Sequence, residues 1–360
     1  MIRDLKKITV QMIAGANIAT ILLMLLTGYS DRINPVHHPD LSNINLIFPV
    51  FLFLNLCFLF FWLFFRNRNV WISFLGFIVC YVPVRKYFPI NFPDEVPAKS
   101  IKVMSYNVFL FAGWQYPGTN NPILQYFKEQ NPDILCLQES GSGELGQAVI
   151  DSVMDKIYPY KCICIRAGDC LSFYSKYPIL SHQPIEYPSQ GNMSAACRIK
   201  IDSDTVWVVN NHLETTGLSL QQRQDFKEII KGEMKSDTAS RTSRKLISTL
   251  GESVAKRAVE ADAVARFIHR HHRESLILCG DFNDGPISYT HRIIGRNLID
   301  CYKETGNGPG ISYHLSGFYV RIDNIMCTTD WTPYRCKVDS KIKASDHYPI
   351  YCWLKKRSKL

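Results

Sequence analysis

Two long uncharged runs near the start constrain this chain most. Ile8 to Tyr29 ("ITVQMIAGANIATILLMLLTGY") and Leu46 to Phe65 ("LIFPVFLFLNLCFLFFWLFF") contain no Asp, Glu, Lys or Arg. A helix needs about 20 apolar residues to cross a bilayer, and uncharged runs of that length are rare in soluble cores. Both therefore read as transmembrane helices. A third run, Val70 to Val84 ("VWISFLGFIVCYVPV"), is shorter. It either spans with tilt and aromatic flanks or is a buried core helix. No small-residue cleavage site follows the first run and more apolar sequence comes next, so the run reads as an anchor, not a signal peptide.

Orientation follows from Lys and Arg in the short loops. Arg3, Lys6 and Lys7 precede the first run, Arg66 and Arg68 follow the second, and the loop between them holds only Arg32 with Asp31 and Asp40. The N-terminus and the "RNRN" loop then lie on the cytoplasmic side, and three spans place the remainder outside. Arg85 and Lys86 argue the other way, and with two spans the assignment flips. The chain thus divides into an anchor (1–90), a Pro-rich polar linker (91–100) and a globular segment (101–356).

The net charge of +9 favours anionic partners such as phosphate esters or lipid headgroups without choosing among them. The 12 cysteines include two in apolar runs, Cys57 and Cys80, and form no CxxC pair. They read mainly as small apolar fillers. In an external domain some could pair as disulfides, which sequence does not assign.

The globular segment alternates short apolar strands with helical patterns. "IKVMSYNVFLF", "ILCLQES", "KCICIR", "CLSFYSK", "AACRIKID", "TVWVVNNHLE", "SLILCGDFND", "VRIDNIMC" and "DHYPIYCWL" read as strands. "NPILQYFKEQNPD", "GELGQAVIDSVMDKIYP" and "SVAKRAVEADAVARFIHRHH" have helical spacing. Continuous apolar strands are buried on both faces, so the expectation is an α/β sandwich of two packed sheets with helices outside. Residues 215–255 are polar. "SLQQRQDFKEIIKGEMK" has helical spacing and "SDTASRTSRK" does not. This stretch reads as a solvated excursion, or as a lid contacting anions through Arg241, Arg244 and Lys245.

Polar residues recur where strands end: Asn107, Glu139, Asn211, His212, Asp281, Asn283, Asp323, Asp346 and His347. "LCGDFND" (278–284) shows the ambiguity, since Asp at a strand end also makes turns. Singly, each has an account as a cap, turn or satisfied core polar group. Together they form a cation and phosphate site if the strand ends converge on one crevice.

The ordered series "SYNV", "LQES", "YSKYPI", "NNHLE", "GDFND", "RIDNI" and "SDHYPI" resembles the endonuclease/exonuclease/phosphatase superfamily over residues 100–356. "GDFNDGPISYT" is especially similar to membrane-anchored bacterial members. The resemblance implies a four-layer α/β sandwich and metal-dependent hydrolysis of a phosphate ester, with Mg²⁺, or Mn²⁺ in its place. It implies the bacterial inner membrane, and the loop charges with three spans then put the catalytic domain on the periplasmic side. It assigns Glu139 as metal ligand, Asn107 as its support and Asp346 as a second metal- or water-binding acid. It assigns Asp281 to the attacking water, Asn283 to the phosphate, His212 and His347 to the scissile phosphate, and Asp323 to orienting His347. Hard cations favour such carboxylate oxygens.

Val108 and Phe109 follow Asn107 where abasic-site endonucleases of the superfamily carry an acid, and His212 stands where they place a Tyr-type contact. Both departures point from DNA repair toward DNase-, sphingomyelinase- and phosphatase-like members. The substrate stays open among phospholipid headgroup, nucleic acid and nucleotide. The rival reading is a noncatalytic membrane-tethered binding module that retains the fold. "HRHH" (269–272) reads as cations at a helix C-terminus, Lys176 as an anion contact or a turn flank, and Arg257 as a surface position.

Overall fold

The computed structural model describes residues 2–315 and 319–357. The expected globular segment 101–356 includes residues 316–318, which lie outside that set. The chain begins with α1 (Ile2–Gly28), α2 (Phe48–Phe64), α3 (Val70–Val79) and α4 (Tyr81–Tyr87). Two helical stretches, Asp4–Arg32 and Ile44–Phe64, are long and apolar enough to cross a membrane. α3 and α4 form a third only if the pair, bent by 74°, counts as one span. Inside this bundle the buried Asn17 Oδ1 accepts from Trp62 Nε1 (3.1 Å) and Ser73 Oγ (2.9 Å). Asn17 Nδ2 donates to Asn55 Oδ1 at 3.1 Å. Polar groups so paired are satisfied inside the bundle and tie the three helices together.

The globular part follows in chain order: β1 (Ile101–Asn107), α5 (Pro122–Gln130), β2 (Ile134–Gln138), α6 (Gln147–Met154), β3 (Tyr160–Arg166), β4 (Asp169–Ser175), β5 (Ile179–Ile185), β6 (Met193–Ile201) and β7 (Asp204–His212). Then come α7 (Leu220–Lys231), α8 (Ser236–Arg270), β8 (Ser275–Asp281), α9 (Tyr289–Ile294), β9 (Ile299–Asp300), α10 (Cys301–Thr305), β10 (Asp323–Cys327), β11 (Trp331–Val338) and β12 (Ile350–Lys356). One sheet has the order β11-β12-β1-β2-β4-β3 and the other β5-β6-β7-β8-β10-β9. Each contains one parallel neighbour pair, β1/β2 and β7/β8.

Val103, Ile134 and Phe173 of the first sheet pack against Val208, Ile277 and Ile325 of the second. α5 and α6 cover the outer face of the first sheet through Phe127, Ile150 and Met154. α8 covers that of the second through Ala261, Val264 and Phe267. These are the four expected layers, α/β/β/α. Near the site the sheets are also pinned by polar contacts. Gln138 Nε2 donates to Asn210 Oδ1 (2.6 Å), and Asn210 Nδ2 donates to the Leu137 carbonyl (2.9 Å). Such buried groups stabilise only when paired, so they favour one sliding register of sheet on sheet.

Three local expectations are corrected. "VFLF" does not continue β1. Asn107 Oδ1 accepts the Phe109 N–H at 3.2 Å, a local turn that competes with the ladder, and residues 109–112 all have positive φ. "SDTASRTSRK" is helical and opens α8. No Gly or Pro interrupts it before Gly251, and buried Leu246 extends the apolar face. Arg257 is not a surface position: it is 2% exposed and donates to the carbonyls of Glu214 (2.7 Å) and Thr215 (3.1 Å).

Candidate active site

Strand register brings the polar ends together. Asp281, closing β8, pairs with His212 of β7 and with Asp323 of β10. Asn107 of β1 pairs with Gln138 of β2, the residue before Glu139. Gly280 permits this approach: its φ is +134°, and a Cβ there would lie 2.1 Å from the Asn211 carbonyl oxygen. Only glycine accepts both that conformation and that contact. Glu139 and Asn283 also adopt positive φ, 48° and 50°. For residues with a Cβ this costs on the order of 1 kcal/mol.

Five of the eight expected residues line one cavity of about 160 Å³: Glu139, Asp281, Asn283, Asp346 and His347. Asn107, His212 and Asp323 lie directly behind it. Asn107 Nδ2 bridges two carboxylates, donating to Glu139 Oε1 (3.0 Å) and Asp281 Oδ2 (3.2 Å). Asp281 Oδ1 accepts the Asn283 N–H at 2.8 Å, and Asn283 Nδ2 donates to the Leu213 carbonyl at 2.9 Å. Ser345 Oγ donates to the Asn107 carbonyl (2.7 Å) and accepts the His347 N–H (3.1 Å). This ties the segment before β12 to the end of β1.

Each imidazole has a carboxylate behind it. His347 Nδ1 lies 2.9 Å from Asp323 Oδ2, and its Nε2 lies 3.6 Å from Asp281 Oδ2. His212 Nδ1 lies 3.0 Å from Asp169 Oδ2, and its Nε2 lies 3.6 Å from Glu139 Oε1. Burial pulls both imidazoles down, but their carboxylates outweigh it, raising His212 to about 9 and His347 to about 10. Burial lifts Asp281 to about 6, with His347 opposing. A buried carboxyl that titrates below the imidazoles beside it leaves the acid as the proton acceptor and the imidazoles charged, an environment that separates acid and base roles.

Sequence reading missed Asp169. Its carboxylate is buried at the start of β4 and meets His212 across 43 residues. The one signal was an acid opening a buried strand in "GDCLSF". Arg223 and Tyr313 were missed too. Both line the cavity, the Tyr313 hydroxyl accepts from Arg223 Nη1, and the Tyr313 ring packs edge-on to His347 at 5.0 Å. Arg241, Arg244 and Lys245 are exposed on α8 instead. Lys176 pairs with Asp133 at 3.1 Å. In "HRHH", His271 Nδ1 meets Glu274 at 2.6 Å and His272 Nδ1 the His269 carbonyl at 2.8 Å.

Two packed sheets whose strand ends gather carboxylates around carboxylate-backed imidazoles define a hydrolase of phosphate esters. The chain belongs to the endonuclease/exonuclease/phosphatase family, whose sequence model matches residues 104–347. Residues 10–87 match a domain of unknown function. An endonuclease/exonuclease/phosphatase structure from Beutenbergia cavernae superposes with a TM-score of 0.50 at 16% identity, covering 72% of each chain. The human Nocturnin catalytic domain with bound sulfate superposes with a TM-score of 0.50 at 16% identity, covering 73% of this chain and 97% of that one. At such identity the likeness is one of fold. A search of curated proteins gave no match.

Proposed function

We propose that the protein is a membrane-anchored, divalent-metal-dependent phosphodiesterase. The observation that carries this reading is the placement of Glu139, Asp281, Asn283, Asp346 and His347 on one cavity. On this reading residues 1–90 are the anchor, 91–100 the linker and 101–356 the catalytic domain. α1, α2 and the bent α3–α4 pair then cross the bacterial inner membrane and leave the catalytic domain on the periplasmic side.

The donor set fits a hard cation. Glu139 keeps 31% of its side chain exposed, and Asp346 is half-buried on the same cavity. Asp281, Asp323 and His347 form a tighter group, with ligand atoms within 4.8 Å of one another. There, however, His347 Nδ1 already faces Asp323, so we read that group as an oriented imidazole beside the acid that aligns the water, and not as the cation site. Glu139 and Asp346, with Asn107 orienting Glu139, would hold Mg²⁺ or Mn²⁺ by oxygen. The bound cation supplies neutralisation of charge on the phosphoryl oxygens.

The chain's own groups do the rest. Asp281, held by the Asn107 amide and the Asn283 N–H, aligns a water and takes its proton. The water oxygen bonds to phosphorus, the P–O bond to the departing group breaks, and that oxygen leaves with the proton that His347 Nε2 gives it. The proton taken by Asp281 passes to solvent, from which His347 is recharged. His347, held by Asp323, presents Nε2 to this departing oxygen. His212 Nε2 finds no hydrogen-bond partner among the described residues and is suited to a phosphoryl oxygen. Asn283 restrains the phosphate, a role in which losing one donor costs about 3 kcal/mol.

Hydrolysis of bis(p-nitrophenyl) phosphate by the full-length protein with Mg²⁺ tests the proposal. Asp281→Asn should lower kcat by about 10³-fold or more, the scale of a lost general base, with an unchanged melting temperature. Wild-type turnover in that variant would remove Asp281 from the role assigned to it, and absence of metal-dependent turnover in the parent would support the noncatalytic binding module instead.

A further inference from the structure

We propose that the substrate is an amphiphilic phosphate ester drawn from the bilayer, and that the loop between α1 and α2 forms a wall of its binding site. This rests on the phosphoesterase reading above and on α1, α2 and the bent α3–α4 pair all crossing the membrane, which puts the loop and the catalytic domain on the same side.

The first observation is where the anchor ends. Asn43 and Leu46, on the loop that joins the two long apolar helices, line the same cavity as Asp281 and His347. α1 stops at Gly28 and α2 starts at Phe48. If those helices cross a bilayer, the loop lies at its surface, and the cavity opens there.

The second is that this placement is held firmly. Arg292 Nε donates to the Asp31 carbonyl at 2.7 Å, and Lys86 Nζ lies 3.1 Å from Asp31 Oδ2. Asn45 Nδ2 donates to the Ile287 carbonyl at 3.4 Å. The Ile287 side chain is buried among Met24, Phe48 and Cys80. Gly251 of α8 faces Pro39, where a Cβ would come within 3.1 Å of the carbonyl carbon. The segment after Asp281 and the helix over the second sheet are therefore both docked on the anchor.

The third is the chemistry of the walls. Leu46, Leu250, Val254, Val320 and Ile322 stand on the cavity beside the polar group. Arg223 and Arg257 are its guanidinium groups among the described residues, and Arg257 is engaged by Asp284 at 3.4 Å. Arg223 donates to the Tyr313 hydroxyl and the Leu218 carbonyl but has no carboxylate partner among the described residues, and one such guanidinium suits a single phosphoryl group. A nucleic-acid strand needs a track of cations. Leu41, Leu46 and Ile47 are about half exposed, at 53%, 52% and 47%. This apolar rim runs into α2, as expected of a surface that meets lipid and not water. A cavity of about 160 Å³ takes a phosphoryl group and a few more atoms, so acyl chains stay outside, along that rim.

The test uses the full-length protein in liposomes of phosphatidylethanolamine, phosphatidylglycerol and sphingomyelin, with Mg²⁺ and phosphorus NMR as the readout. The comparison substrates are the same headgroups on four-carbon chains, which remain in solution, a DNA oligonucleotide, and bis(p-nitrophenyl) phosphate. We expect kcat/KM for at least one bilayer lipid to exceed that of its short-chain analogue by about tenfold or more, since remote binding energy is realised in the transition state. Leu46→Asp should lower lipid turnover about tenfold more than it lowers turnover of the chromogenic ester. Equal turnover of long- and short-chain esters, or preference for the oligonucleotide, overturns the substrate class and leaves the enzyme reading standing. No turnover of any substrate overturns both.

Discussion

His347 Nδ1 sits 2.9 Å from Asp323 Oδ2 while its Nε2 sits 3.6 Å from Asp281 Oδ2. One imidazole thus joins the buried acid of β10 to the acid that closes β8. A carboxylate so placed fixes the direction of the ring and favours its charged form. Asp323→Asn keeps the shape but removes the charge. We expect kcat to fall by about 10²-fold or more, within the range of acid–base contributions, with KM changed little. A matched fall in kcat and rise in KM would point to a distorted pocket instead.

Chelation should abolish turnover, and added Mg²⁺ or Mn²⁺ should restore it. Glu139→Gln keeps an oxygen but loses a charge. The Mg²⁺ concentration for half-maximal rate should then rise by about tenfold or more, the scale on which altered ligation weakens metal binding. A metal titration of initial rate reads this directly, and an unshifted midpoint would remove Glu139 from the metal's ligands.

Asp169 backs His212 at 3.0 Å and does not line the cavity. Its removal leaves a buried imidazole without its anion. Asp169→Asn should cost about 10²-fold in kcat, and Asp169→Glu should recover part of it. If Asn and Glu behave alike, the charge on Asp169 is irrelevant to turnover.

Glu260 gives a pH dependence of stability that is separate from the cavity. Burial pushes its carboxyl up to about 7, against the opposing Glu214 N–H and Arg257, from an ordinary value of 4.5. The native chain therefore holds a proton that the unfolded chain releases, and stability falls as pH rises from about 4.5 to about 7. The full effect is on the order of 3 kcal/mol above that window. Glu260→Gln keeps an acceptor for the Glu214 N–H, which lies at 2.6 Å in the parent, and removes the titration. Melting curves in detergent at pH 5 and pH 8 should show a larger drop for the parent than for the variant. Parallel drops would refute the assignment.

Much of this protein was legible in the chain itself. The two uncharged runs demand long apolar helices because an unbroken set of apolar side chains has no other stable use. The strand ends were legible because each pairs a continuous apolar run with an abrupt polar residue, as "LILCG" does with Asp281. Side-chain type then names the chemistry: oxygen donors for a hard cation, imidazoles for phosphate. These signals are local and survive without knowledge of the fold.

What the chain alone could not show is who meets whom. Asp169 and His212 join through packing of the two sheets. Arg257 becomes buried only because the polypeptide after β7 folds back over α8. Asn43 and Leu46 reach the cavity only because the N-terminal helices dock on Ile287 and Arg292. Contacts between positions far apart in sequence depend on register and layer packing, and a one-residue slip would turn each side chain to the opposite face. Sequence determined the elements and their chemistry, and tertiary structure decided their partners, since pairing across the fold is settled by the sum of many distant contacts.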